Sequence, residues 1–430
     1  MSKSVLLSTF QPVPPVDYTH AEGAWVHTAD GGRLLDAASG LVCVNIGHAH
    51  PHVLEAMTRQ AAVATYASPG ALRPALQEEL AVRLGAAVGR AGDGVSLACS
   101  GTAAVELAVS YAKSIQRARG ETGRHHVLTA TLGYHGNSAL ALGLSGHRRR
   151  RPEPVDALGL GPAFDPPYPG HHRGCPYGHC RAECVSAVRD AILERGPETV
   201  AAVLVEPVNG TTGGAYTPPP GYLSALRRLC HEHGVLVIHD EVLTGLGRTG
   251  LPLGADHDPG GAADLVVLAK GLSAGYLPLS AVLVDEAGTE ALRSSGRPLP
   301  LMGTMSASPL QAAVGLAVLD VLQDLGALEA GVLRGGELTS AVRRLADLPA
   351  VVRTRGVGYF HAVELVPGGQ RAALAHGREA GLLLYPFNGF NPDGSGEGVI
   401  IAPPLTSTSE EIGFLAEAAR TALSRIPASE

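Results

Sequence analysis

The stretch VLVIHDEVLTGLGRTG, Val235 to Gly250, begins as an apolar, mostly β-branched run and then drives straight into two carboxylates, Asp240 and Glu241. The run has the character of a strand covered on both faces in a parallel sheet. An unpaired buried carboxylate is costly, so a cation is expected to wait at that strand end. The source of that cation decides both the fold and the chemistry.

Working outward, similar runs recur as VSLAC (95–99), HVLTA (126–130), VAAVLVE (200–206), LVVLAK (265–270) and AVLVD (281–285), with helix-like segments at 103–119, 182–195 and 221–233. This alternation predicts an α/β fold built on a mainly parallel sheet. Beyond Pro309 the chain becomes helix-rich, with short strands near 358–366 and 398–402. That pattern predicts a smaller α+β domain, which residues 23–45 would join. The expected division is 1–55 as the N-terminal part of the small domain, 56–308 as a large cofactor-binding domain and 309–430 as the rest of the small domain. Residues 145–180, dense in Pro, Gly, His and Arg, read as a long surface excursion.

The bulk numbers exclude more than they identify. With 17% charged and 45% apolar residues the composition argues against wholesale disorder, and a net charge of −7 carries no nucleic-acid footprint. No window approaches the ~18 apolar residues of a membrane span. Six scattered cysteines and an N-terminus without a secretory pattern predict a cytoplasmic protein with reduced thiols.

Four of the apolar runs end in residues with chemistry: Ser100-Gly101-Thr102, Glu206, Asp240 and Lys270. In open α/β sheets the ligand crevice lies outside the carboxyl ends of the strands. The Ser-Gly-Thr turn at a helix start is either an ordinary N-cap or an anion site suited to phosphate. Lys270 would sit at the end of a buried strand, where desolvation favours a nucleophilic amine able to hold an aldehyde as a Schiff base; the alternative is a lysine snorkelling to solvent. Asp240 and Lys270 could simply form an ion pair. Taken together, lysine, phosphate cradle and buried carboxylate describe pyridoxal phosphate, whose ring nitrogen needs an acidic partner. A contact at ~4 Å with an effective dielectric of ~20 is worth roughly 4 kcal/mol, about three pKa units, enough to keep a pyridine protonated.

SGTAAVELA, GYHG (133–136), VEPVNGTTGG (205–214), DEVLTGLGRTG (240–250), AKGLSAGYLP (269–278) and GTMSASPL (303–310), in this order, resemble the class III aminotransferases, with an ω-transaminase-like character. The resemblance implies a fold type I enzyme using pyridoxal phosphate and forming homodimers with active sites at the interface. It assigns Lys270 as the cofactor's covalent anchor and base, Asp240 to the pyridine nitrogen, Val242 beneath the ring and Tyr134 above it. His135 would also lie in the cofactor site. Ser100, Gly101 and Thr102 would cradle the phosphate, with Thr304 reaching it from the neighbouring subunit, and Glu206 would contact the substrate or the cofactor surroundings. The implied reaction moves an amino group from a donor to a carbonyl acceptor in two half-reactions. The same scaffold also hosts decarboxylation, racemisation and aminomutase chemistry.

The pattern departs from the family at the substrate. Ile400 stands in GVIIAPPL (398–405) where members using α-amino acids often carry arginine, and LLLYPFNGF (382–390) offers Tyr385 where ω-amino enzymes place a movable one. Either carboxylate recognition has moved, with Arg73 the candidate, or one substrate lacks a carboxylate. Ala103, Asn209, Leu243 and Leu246 also replace common family residues.

Other signals weigh less. Cys175, Cys180 and Cys184 with His171, His172 and His179 lack paired zinc-module spacing, so no metal is assigned. HRRRR (147–151) reads as a solvated loop. GLSAG (271–275) fits the G-x-S-x-G elbow of serine hydrolases, but Pro278 and a strand-like run follow where that motif requires a helix. A non-catalytic binding protein on the same scaffold would have no reason to keep both Lys270 and Asp240.

Overall fold

A computed structural model describes residues 13–68, 71–147, 161–168, 181–296, 303–306, 308–329 and 334–428. Its first described strands, β1 (Tyr18–Glu22), β2 (Trp25–Thr28) and β3 (Arg33–Asp36), form an antiparallel ribbon. The apolar runs of the sequence become β4 (Gly94–Ala98), β5 (His126–Thr129), β6 (Val200–Val205), β7 (Leu236–Asp240), β8 (Leu265–Leu268) and β9 (Ser280–Val284). They build one six-stranded sheet in the order β4-β9-β8-β7-β6-β5, parallel across β5 to β8, with β9 antiparallel to both of its neighbours.

Both faces of this sheet are covered, which is why its central strands read as unbroken apolar runs. Leu236 and Ile238 pack with Ala104, Val105 and Ala108 of the helix Gly101–Ala118, whereas Val235 and Val237 join Leu223 and Leu226 of the helix Tyr222–Glu232. Asp240 shares the parity of Leu236 and Ile238, so it faces the layer that carries the helix Gly101–Ala118. Ser100 caps that helix, its Oγ accepting from the Ala103 N–H at 3.1 Å, a bond worth about 1 kcal/mol.

The remaining strands lie late in the chain: β10 (Val351–Val357), β11 (Phe360–Leu365), β12 (Leu382–Leu383), β13 (Tyr385–Asn388) and β14 (Glu397–Ile401). Four of them form an antiparallel sheet, β10-β11-β14-β13, while β12 pairs parallel with β3 through Leu382 and Leu35. The N-terminal ribbon therefore meets the C-terminal segment in one sheet. Three of these strands escape a sequence reading. β10 carries Arg353, Arg355 and Gly356, β12 is two residues long, and β13 contains Pro386 and Asn388, so none has strand composition. The helix Pro309–Asp324 opens on a capping box between Ser308 and Gln311 and packs against the helices Pro51–Val63 and Ala75–Ala87.

The expectation of a surface excursion over 145–180 needs correction where the chain is described. β5 is an edge strand, and its free backbone groups are met by residues 163–164: Ala163 N–H donates to Thr129 O at 2.8 Å and Thr131 N–H to Phe164 O at 2.8 Å. Phe164 and Tyr168 are buried. Among the described residues no helix is long and apolar enough to cross a membrane.

Candidate active site

The carboxyl ends of β4, β6, β7 and β8 bring Ser100, Glu206, Asp240 and Lys270 to one cavity of about 460 Å³. Gly101, Thr102, Tyr134, His135, Val242 and Tyr385 also line it. Two sequence candidates lie elsewhere. Thr304 sits exposed in the turn at 303–306, and Arg73 leaves 83% of its side chain to solvent while pairing with Glu78 at 3.4 Å. Neither lines the cavity of its own chain.

The two carboxylates that end β7 have separate partners. Asp240 Oδ2 accepts from His135 Nδ1 at 2.8 Å and Oδ1 from the Val242 N–H at 3.1 Å, while the side chain still borders the cavity. Glu241 turns away. Its Oε1 accepts from the Ala255 N–H at 2.8 Å and its Oε2 from the Gly254 N–H at 2.9 Å, with the Thr244 hydroxyl as a third donor. One carboxylate waits for a cation and the other satisfies a turn.

Lys270 follows β8 with a left-handed φ of 36° and starts the turn Lys270–Leu272. A non-glycine residue pays for that conformation, so packing must hold it. The next residue must be glycine, since a Cβ on Gly271 would meet the Asn45 side chain. Burial lowers the lysine pKa to about 8, with Asp240 and Glu206 pulling against the shift. At His135 burial opposes charging, but the bond to Asp240 and the charges of Asp240 and Glu206 outweigh it and hold the pKa above the usual value. Glu206 is pushed up to about 7 by burial. It accepts from the Tyr134 N–H at 3.3 Å, Asn209 Nδ2 at 2.9 Å and the Gly210 N–H at 3.0 Å.

The ordinary N-cap and the anion site turn out to be compatible. Ser100 spends its hydroxyl on Ala103, which leaves the helix start at Gly101 and Thr102 bordering the cavity. A Cβ on Gly101 would stand 3.1 Å from Val242 Cγ1, so glycine lets the helix end reach the cavity floor. The Thr102 hydroxyl donates to Asn137 Oδ1 at 3.1 Å and accepts from the Asn137 N–H at 3.3 Å. Gly136, with φ 134°, permits this approach, because a Cβ there would meet Thr102 Oγ1.

Sequence reading passed over two contributions. Leu41 and Cys43, from the N-terminal segment, line the cavity. Arg248 of the GRTG motif is fully buried, its Nη1 donating to Pro403 O and its Nη2 to Asn45 Oδ1, both at 2.6 Å. It locks the β7 turn to the N- and C-terminal segments. A charged residue in so apolar a neighbourhood was the available signal.

Ser273 of GLSAG is buried in the turn between β8 and the antiparallel β9, with no helix after it, so the hydrolase elbow is absent. Residues 171–180 and Arg148 to Arg151 lie outside the described residues; Cys184 is buried and His147 Nε2 bonds Asn388 O at 2.9 Å. Among the described residues no group of three His, Cys, Asp or Glu side chains could hold a metal ion.

A half-buried amine with a lowered pKa, a helix start beside it and a carboxylate with a free side toward the cavity fit pyridoxal phosphate, and the sheet with its flanking helices defines a fold type I enzyme. Residues 8–423 match the family description Aminotransferase class-III, and the chain belongs to that pyridoxal-phosphate-dependent family. It is 32% identical to the omega-aminotransferase of Caulobacter vibrioides, over 94% of this chain and 93% of that one. It is 34% identical to the acetylornithine aminotransferase of Mesorhizobium japonicum, over 96% and 94%. Its structure resembles a PLP-bound amine transaminase from an uncultivated Pseudomonas species, with TM-score 0.86, 30% identity and coverage of 96% and 95%. The protein is a transaminase, and the other reactions considered for the scaffold are not favoured.

Proposed function

We propose that this transaminase takes an amine or ω-amino donor whose reacting end carries no α-carboxylate. One observation carries the reading: among the described residues, Lys270 is the only Lys or Arg that lines the cavity. Leu41, Tyr134, Leu243, Leu277 and Tyr385 give the rest of the wall an apolar cast, and Ile400 is buried in a cluster with Phe360, Phe387 and Leu243. A donor carboxylate would enter without a counter-ion and lose its hydration.

Lys270 Nζ would hold the cofactor covalently and would serve as the base that carries the donor's Cα proton. Its lowered pKa keeps a usable fraction of neutral amine near neutral pH. Asp240, held by His135 and the Val242 N–H, would be the partner that keeps the ring nitrogen protonated. Gly101 and Thr102 would hold the phosphate with the helix start, and Val242 and Tyr134 would pack on the ring. Pyridoxal phosphate, when bound, would supply an aldehyde carbon and an electron-accepting ring.

The working form is a cytoplasmic homodimer in which Thr304 reaches the partner's phosphate. The exposure of Thr304 outside its own cavity supports this. Arg73 could recognise a carboxylate only from across such an interface.

The test is a donor series at matched chain length. A simple alkylamine should bleach the visible cofactor band far faster than the corresponding α-amino acid, and Arg73→Ala should leave the order intact. A preference for the α-amino acid that Arg73→Ala abolishes would overturn the reading.

A further inference from the structure

Behind the cofactor cavity lies a second, small space of about 40 Å³, bordered by Gly133, His135, Glu206, Asn209 and Tyr222. His135 presents its far edge here. Its side chain has no exposure, Nδ1 is committed to Asp240, and Nε2 meets no acceptor among the described residues. Gly133 stands beside that nitrogen, where a Cβ would come 2.9 Å from Nε2. Glu206 borders both spaces, and its Oε1 takes one bond, from the Gly210 N–H. His135 and Glu206 influence each other's charge, yet no direct hydrogen bond joins them.

We propose that this space binds one ordered water bridging His135 Nε2 to the Glu206 carboxylate, which makes Glu206 a positioning residue for Asp240. Each alternative leaves a polar atom stranded. A buried ring nitrogen without a partner is desolvated with nothing in return, and an ordered water needs only room for itself and two to four polar neighbours. The space and its two polar walls meet that need. Through the water Glu206 fixes the proton on Nε2, and the ring is held with Nδ1–H toward Asp240. The chain from Asp240 through His135 and the water to Glu206 then fixes the imidazole ring and with it keeps the Asp240 carboxylate aimed at the cavity. The placement depends on the protein groups alone and stands whichever donor the enzyme takes.

A high-resolution crystal structure of the holoenzyme should show a water within hydrogen-bond distance of both His135 Nε2 and Glu206. In Gly133→Ala the added methyl should expel it and shift the His135 Nε2 resonance in histidine-nitrogen NMR, with and without cofactor. Gly336→Ala, where a Cβ meets open space, should leave that resonance in place. Should Gly133→Ala fail to fold, Glu206→Gln takes its place, with the water kept and the resonance shifted. A wild-type structure with no bridging water, or an Nε2 resonance that neither substitution moves, overturns the proposal.

Discussion

Asp240 and Glu241 are neighbours in the chain, are both buried, and end the same strand, yet they serve different regions of the molecule. Asp240 borders the cavity and takes one side-chain donor, His135. Glu241 points into the turn that follows and gathers the Gly254 and Ala255 N–H groups with the Thr244 hydroxyl. A buried carboxylate marks a ligand only if its donors leave part of it unspent. Where backbone N–H groups already surround it, the same charge is a structural brace.

The sharpest break in this comparison should come at the cavity. Lys270→Ala should abolish turnover and the visible cofactor band, as absorbance of the purified protein would show. Retained turnover would remove the lysine from the mechanism. Asp240→Asn keeps the shape but gives up the charge, so it should slow donor turnover by roughly 1000-fold, the three pKa units expected of a close contact at moderate dielectric. Single-turnover kinetics would report it, and a loss under about tenfold would mean that another group protonates the ring.

The site was largely legible because sheet geometry converts sequence order into spatial coincidence. Ser100, Glu206, Asp240 and Lys270 are far apart in the chain, but each ends a run that reads as a buried strand, and parallel strands bring those ends to one edge. What stayed hidden depended on direction or on distance in the chain. Strand parity sends Asp240 and Glu241 to opposite faces, but that Glu241 is already satisfied shows only once the turn at Gly254 folds back. Arg248 has its partners at Asn45 and Pro403, which no local pattern connects. The strands β10 and β13 are fixed by their neighbours, not by composition, and the segment around Phe164 looked like loop because its partner is the edge of β5.

Glu241→Gln tests the brace directly and should have the smallest effect on catalysis. An amide keeps one accepting oxygen and places an –NH2 against the donors, so the Gly254 or the Ala255 N–H loses its partner, at a cost of about 1–3 kcal/mol. Burial raises the Glu241 pKa from 4.5 to about 7, although its hydrogen bonds pull the other way. The folded state therefore holds that proton more tightly than the unfolded chain. This contribution to stability is complete below pH 4.5 and is lost as pH rises through about 7. Chemical denaturation across that range should show a steeper wild-type decline than in the Gln variant, where Glu206 still contributes one over the same window, with an unchanged visible spectrum at pH 8 or so. A spectrum that shifts with Glu241→Gln would mean that the two carboxylates act as one unit, and the separation between ligand site and brace would fall.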